Sequence, residues 1–282
     1  MEHGFVDISR LTVRHINKGV AESFIREHHY SHRFSSARYT LGLFYKEESH
    51  SFFEGTHEKL IGCLVYGHPV SNATVTSIFK TIPLEMESIL ELTRLVILDG
   101  YGKNIESYFI GQSFGWLRKH DPKVKVLISY ADPEQGHTGL IYRATNWFYQ
   151  GCGAGKVMVD FSLKLYEQDE WIHSRTVGSM FQHRNIDHLA ERIGHSFWRK
   201  EELPKHRYIY FLGSKRERKK FLKDVKIPLM PYSDIQTFTP LIQHVIVQGG
   251  KVQEIKVLQG EDKGWSVKRG EYAEEESTDT AD

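Results

Sequence analysis

Ile89-Leu90-Glu91-Leu92-Thr93-Arg94-Leu95-Val96-Ile97-Leu98-Asp99-Gly100-Tyr101-Gly102-Lys103-Asn104 is the stretch that decides the fold. Leu90, Leu92, Leu95 and Ile97 crowd its first part, which predicts a strand over Ile89–Leu98. Asp99-Gly100-Tyr101-Gly102 ends that strand, since glycines of this density punctuate regular structure. Beyond Asn104, Ile110, Phe114 and Leu117 recur at i, i+4 and i+7, which predicts a helix to His120, where Asp121-Pro122 stops it. A strand, a glycine turn and a helix in that order put backbone N–H groups where the helix dipole favours an anion. Gly100, Gly102, Lys103 and Asn104 are therefore candidate cofactor-binding positions, the plainer reading being a turn with two glycines.

Upstream, Phe5 to Ile16 reads as a strand and Asn17 as the N-cap of a helix to about His29. Tyr39–Tyr45 and Leu60–Tyr66 read as an antiparallel hairpin. Downstream, Val124, Val126, Ile128 and Tyr130 alternate along a strand to Ala131, and Leu140, Ala144, Trp147 and Phe148 predict a helix over Thr138–Tyr149. Later strands are expected at Val157–Leu165 and Tyr208–Leu212, with helices at Asn185–Ile193 and Lys215–Leu222. His244–Leu258 folds back at Gly249-Gly250 as a hairpin. Up to Gly153 the order resembles that of acetyltransferases of the GNAT type. The expected class is α/β, a mixed sheet flanked by helices that takes its ligand in the splay between two central strands. The expected divisions are a domain over 1–225, a hairpin extension over 226–260 and a disordered acidic tail over 261–282.

The chain has 282 residues, 40% hydrophobic and 26% charged, enough to bury a large core. Ile61–Tyr66 is the longest apolar run, far short of the roughly 20 residues that span a bilayer. Two cysteines, Cys63 and Cys152, make no disulfide framework, and the N-terminus has no basic and apolar leader; a cytoplasmic setting is expected. The net charge of +1 conceals an asymmetry. Glu271–Asp282 holds six carboxylates and no cation, leaving 30 acidic against 37 basic residues elsewhere. That tail is either a solubility device or a polyanion mimic competing for a basic surface.

Three stretches carry reactive side chains. In Glu27-His28-His29-Tyr30-Ser31-His32-Arg33, continued helix would set His28 and His32 at i, i+4, able to share a metal with His29, or else to cap the helix end. In Ser129–Gly139, Asp132 stands at a strand end, the edge where α/β proteins place ligands, though aspartate before proline also caps turns. In Lys205-His206-Arg207-Tyr208, cations run into an aromatic strand, and Arg199–Asp224 holds ten basic and four acidic residues. Phosphates meet cations and bases stack on rings, so a nucleic acid suits these letters as well as a solvated face over a buried strand does.

The blocks Glu91-Leu92-Thr93-Arg94-Leu95, Ser107–Ile110, Lys125–Gly139, Ile141–Trp147 and Lys205–Tyr208 together resemble the Mom-type adenine-modification proteins of bacteriophages, over roughly residues 20–215. The resemblance implies an acetyltransferase-like transferase that converts adenine N6 in DNA to N6-carbamoylmethyl (methylcarbamoyl) adenine in the infected host's cytoplasm, shielding phage DNA from restriction. It also implies catalytic roles for His29-Tyr30, Arg94 and Asp132, and an iron, which the His28/His29/His32 cluster would hold. The usual phosphate-loop spacing is absent, so acetyl-coenzyme A and a glycine-derived donor both remain open. On this reading Asp132 is the general base, Tyr30 acid or orienter and His29 base or ligand, Tyr142 or Trp147 stacks a flipped adenine, and the cationic Arg199–Lys223 region, Lys205–Tyr208 within it, holds DNA. The rivals are an N-acetyltransferase acting on a protein or small amine, and a non-catalytic DNA-binding protein of the same fold.

Overall fold

The computed structural model describes residues 7–47, 57–152, 160–235 and 237–260. In chain order the elements are β1 (Leu11–His15), α1 (Lys18–His28), β2 (Tyr39–Glu47), β3 (His57–Gly67), α2 (Asn72–Thr76), β4 (Ile89–Ile97), α3 (Ile105–His120), β5 (Val126–Ala131), α4 (Leu140–Ala144), β6 (Phe148–Cys152), β7 (Phe161–Lys164), α5 (Ser174–Phe181), α6 (Ile186–Ile193), β8 (Phe197–Glu201), β9 (His206–Phe211), α7 (Lys215–Asp224), β10 (Ile242–Gln248) and β11 (Lys251–Gln259). The chain divides into two compact units, Met1–Ala154 with Lys205–Ile235, and Gly155–Pro204 with Gln236–Asp282. These divisions fall elsewhere than at the expected 225/226 and 260/261 boundaries, because β10 pairs with β8 and draws the C-terminal hairpin into the second unit. The acidic tail lies outside the described residues.

The first unit is a seven-stranded mixed sheet in the order β1-β2-β3-β4-β5-β9-β6. One face packs Leu41, Leu64, Leu90 and Leu127 under Phe109, Ile110 and Leu117 of α3. The other packs Ile89, Val126, Ile128 and Phe211 under Phe221 of α7, and Ala21 and Ile25 of α1 cover Cys63 and Val65. β4 and β5 are the parallel pair, in register only from Ile89–Leu92 against Val126–Ser129. Beyond that rung β4 follows β3 and β5 follows β9, so the two strands part at their C-terminal ends. This is the expected α/β fold, with the splay where ligands are placed.

The helix expected over Thr138–Tyr149 is instead a short α4 followed by β6. Asn146 takes a left-handed backbone (φ 59°), which ends the helical run, and Phe148 and Tyr149 pair with Ile209 and Tyr208. The second unit is an antiparallel sheet, β11-β10-β8-β7, with Val177 of α5 and Leu189 and Ala190 of α6 on Leu163, Phe197, Val245 and Val247. No disulfide joins Cys63 and Cys152. Among the described residues no helix is long and apolar enough to cross a membrane.

Candidate active site

The last shared rung of the parallel pair is closed by Ser129, whose hydroxyl donates to the Leu92 carbonyl (2.8 Å) and lies 2.7 Å from the Tyr142 hydroxyl. Above it the chain after α1 crosses the splay. α1 ends at His28, and His29 is already extended (φ −87°, ψ 135°). The crossing loop is stitched to β4: Ser35 donates to the Thr93 hydroxyl (2.7 Å) and Arg94 Nε donates to the Arg33 carbonyl (2.9 Å). Those bonds bring Arg94 to His29 and Tyr30. The Tyr30 ring lies 4.3 Å from His29 and edge-on to His137 at 5.5 Å, centroid to centroid.

Burial, helped by the charges of Arg94, His137 and His32, pulls His29 down to about 4, so its imidazole is neutral at pH 7. Nδ1 accepts the Ser31 backbone N–H (3.1 Å). A backbone amide can only donate, which assigns the ring proton to Nε2. His29 therefore offers a hydrogen-bond donor, and the general-base role is left to another group. Arg94 is also lowered, by burial first, with Tyr30 and Glu91 opposing.

Asp132 closes β5 and caps the turn Pro133–Gln135, accepting from Glu134 N–H (3.0 Å), while its second oxygen meets Lys205 Nζ at 3.0 Å. The following block is set by packing. Gly139 is left-handed (φ 73°), and a Cβ there would lie 2.4 Å from the ring of Tyr208, whose hydroxyl donates to the Thr138 carbonyl (2.6 Å). On the other side of the splay Gly100 (φ 92°), Gly102 (φ 110°) and Asn104 (φ 65°) lead into α3. The Asn104 side chain makes no capping bond, so no side chain of the cap satisfies the first N–H groups of this 16-residue helix.

The metal expectation is not met. Because α1 stops at His28 and His32 sits at φ 47°, the i, i+4 geometry does not form. His32 Nδ1–H donates to the Arg26 carbonyl (2.8 Å), His29 Nδ1 is taken by Ser31, and His28 lies edge-on to Phe24. Among the described residues no three His, Cys, Asp or Glu side chains converge to hold a metal, so these residues do not fit an iron.

The profile of the Mom protein family matches residues 10–234. The chain belongs to the Mom protein family. It is 27% identical over 230 residues to the methylcarbamoylase Mom of Escherichia phage Mu, covering 79% of this chain and 83% of that one. Similar solved structures include the spermidine/spermine N-acetyltransferase SpeG of Vibrio cholerae (11% identity, TM-score 0.39, 74% of this chain and 97% of that one). Another is Arabidopsis thaliana NAA60 in complex with acetyl-CoA (11%, 0.40, 71% and 99%).

Within this Mom-family chain the expected DNA contacts need correcting. β9 lies between β5 and β6, and Tyr208 on one face and Ile209 and Phe211 on the other are packed into separate core clusters, so both its faces are covered. His206, Arg207 and Tyr208 are 1%, 3% and 0% exposed, and Trp147 and Tyr142 are 2% and 7%. Tyr142 stacks on Tyr208 and meets Trp147 edge-on, His206 Nδ1 lies 2.9 Å from the Tyr149 hydroxyl, and Arg207 is held by Ser77 Oγ (3.1 Å). None presents a face to a nucleobase; Lys205 alone of that run is exposed. The other exposed cations of Arg199–Asp224 are on α7: Lys215, Arg216, Arg218, Lys219, Lys220 and Lys223, anchored by buried Phe221. His137 at the site was missed, although it stands inside the quoted Ser129–Gly139 block.

Proposed function

We propose that this protein modifies DNA, transferring a carbamoylmethyl group to adenine N6 and so protecting phage DNA from restriction in the cytoplasm of its host. The observation that carries this reading is the meeting of His29, Tyr30, Arg94 and His137 at the splay, inside the stretch matched by the Mom family. The relative named a methylcarbamoylase supports the group transferred.

Adenine N6 is conjugated with its ring and poorly nucleophilic, so a proton must leave as the new N–C bond forms. Asp132, fixed as a cap and screened by Lys205, is the carboxylate at the strand end that accepts it. His29 Nε2–H donates to oxygen on the incoming group, and Arg94 supplies positive charge where negative charge develops. A base inside the duplex is out of reach, so the adenine is flipped out. Tyr30, 51% exposed, is the ring available to stack it, in place of buried Tyr142 and Trp147. The exposed cations of α7 hold the phosphate backbone. N6 attacks the methylene of a glycine-derived carbamoylmethyl donor as the bond from that methylene to the donor's leaving group breaks, and Gly100, Gly102, Lys103 and Asn104 would hold the phosphates of a donor that carries them.

Mass spectrometry of nucleosides from bacteria expressing the chain tests this. A heavier adenine nucleoside, with DNA that resists several restriction enzymes, is expected. Unmodified adenine in cells holding abundant soluble protein would overturn it, and DNA binding without modification would leave a binding protein of the same fold.

A further inference from the structure

In the second unit, α5 and α6 pack on one face of the sheet. The opposite face carries a different set of side chains. Register places Lys164, Trp198, His244 and Lys256 in one row across β7, β8, β10 and β11. Trp198 and His244 stand with rings parallel, 2° apart in plane and 4.2 Å between centroids. One rung away is Lys200, paired with Ser162. Trp171 lies under the ammonium groups of both Lys164 (5.1 Å) and Lys200 (5.4 Å). Lys164 also donates to the Glu167 carbonyl (2.9 Å), and Lys256 faces the exposed carboxylate Glu254 at 3.5 Å. Half-buried rings bounded by lysines at both ends of a row, on a sheet face that the unit's helices leave open, form an aromatic and cationic platform.

We propose that this face binds a single strand of DNA, unpaired bases stacking against the Trp198–His244 pair and Trp171 while Lys164, Lys200 and Lys256 meet the phosphates. The charge of the lysines fits a polyanion. The rings select an unpaired strand, since only bases outside a duplex offer a free π-face. DNA is the occupant because the proposal rests on the reading that this chain acts on DNA. It adds to that reading a second contact with DNA, on the second unit.

The test is binding of the full chain to a labelled DNA oligonucleotide, single-stranded and duplex, across a salt series. Replacing Lys164, Lys200 and Lys256 together by Gln should flatten the slope of log affinity against log salt for the single strand by about 2, at about 0.7 per lost phosphate contact. Trp198→Leu should weaken single-strand binding about tenfold with the slope unchanged. The lysine variant keeps every ring of the face and guards against a Trp198 variant that fails to fold. If wild type binds and modifies DNA while both folded variants bind the single strand as wild type does, the platform is overturned and the DNA reading stands. If wild type neither binds nor modifies DNA, both fall. Tighter binding of an RNA of the same sequence through these residues would overturn the choice of DNA.

Discussion

β9 and α7 follow each other in the chain, both mix aromatic and basic residues, and they do opposite work. In β9 the run His206-Arg207-Tyr208 is interior on both faces of the sheet, and Arg207 is a buried cation whose hydrogen bonds go to Ser77. In α7 one ring, Phe221, enters the core, and six cations remain in solvent. Sequence composition treats the two as one basic region. Neighbours decide the matter: β9 has a core packed on each of its faces and so no solvent side, whereas a surface helix keeps about two thirds of its circumference outside.

The sharpest test stands where β9 begins, at Lys205, which pairs with Asp132. Asp132→Asn keeps a good turn cap but removes the proton acceptor, so modification should fall ~10²–10⁴-fold with stability nearly unchanged. Retained modification in the folded variant, by nucleoside mass spectrometry, would reassign Asp132 to the turn and leave β9 with no link to the chemistry.

Within the comparison itself, Tyr208→Ala should cost about 3–5 kcal/mol in urea unfolding, as large aromatic truncations in cores do. Leu222→Ala on α7, where the side chain is 38% exposed, should stay within about 0.5 kcal/mol. Equal losses would erase the distinction between interior strand and surface helix.

Charge gives the third test. Lys219, Lys220 and Lys223 changed together to Gln should flatten the salt slope for duplex binding by about 2.7. Arg207→Met should leave that slope as it is, since a side chain 3% exposed does not reach a phosphate. A slope moved by Arg207→Met and not by the α7 variant would reverse the assignment.

The smallest effect is on pH. His29 is held at about 4 in the folded chain against an ordinary 6.5, so between these values the unfolded chain binds the extra proton. Stability should therefore fall as pH drops from about 6.5 to about 4, by on the order of 1 kcal/mol per pH unit. His29→Gln should remove that part of the slope, measured as urea midpoints against pH. A slope the same in the variant would mean that His29 titrates normally.

Periodicity alone fixed the strands around Leu41, Leu64, Leu92 and Ile128 and the helix through Phe114, because each has one strongly apolar repeat and a clear stop. The Lys125–Gly139 and Ile141–Trp147 blocks were enough to point to the family, and His29, Arg94 and Asp132 were legible as candidates. Letters could not say that Trp147 is core, since an aromatic beside a candidate site reads the same whether it faces a base or a neighbouring ring. β8 was invisible, its Phe197-Trp198-Arg199-Lys200 becoming a strand only through pairing with β7 and β10. The metal cluster failed on one backbone angle, because a helix that stops at His28 turns an i, i+4 pair into residues on different paths. Sequence thus determined local periods, the turn chemistry and the identities at the site. Tertiary structure decided which strand became interior, and so which cations and rings were left to meet a ligand, because burial depends on neighbours that come from distant parts of the chain.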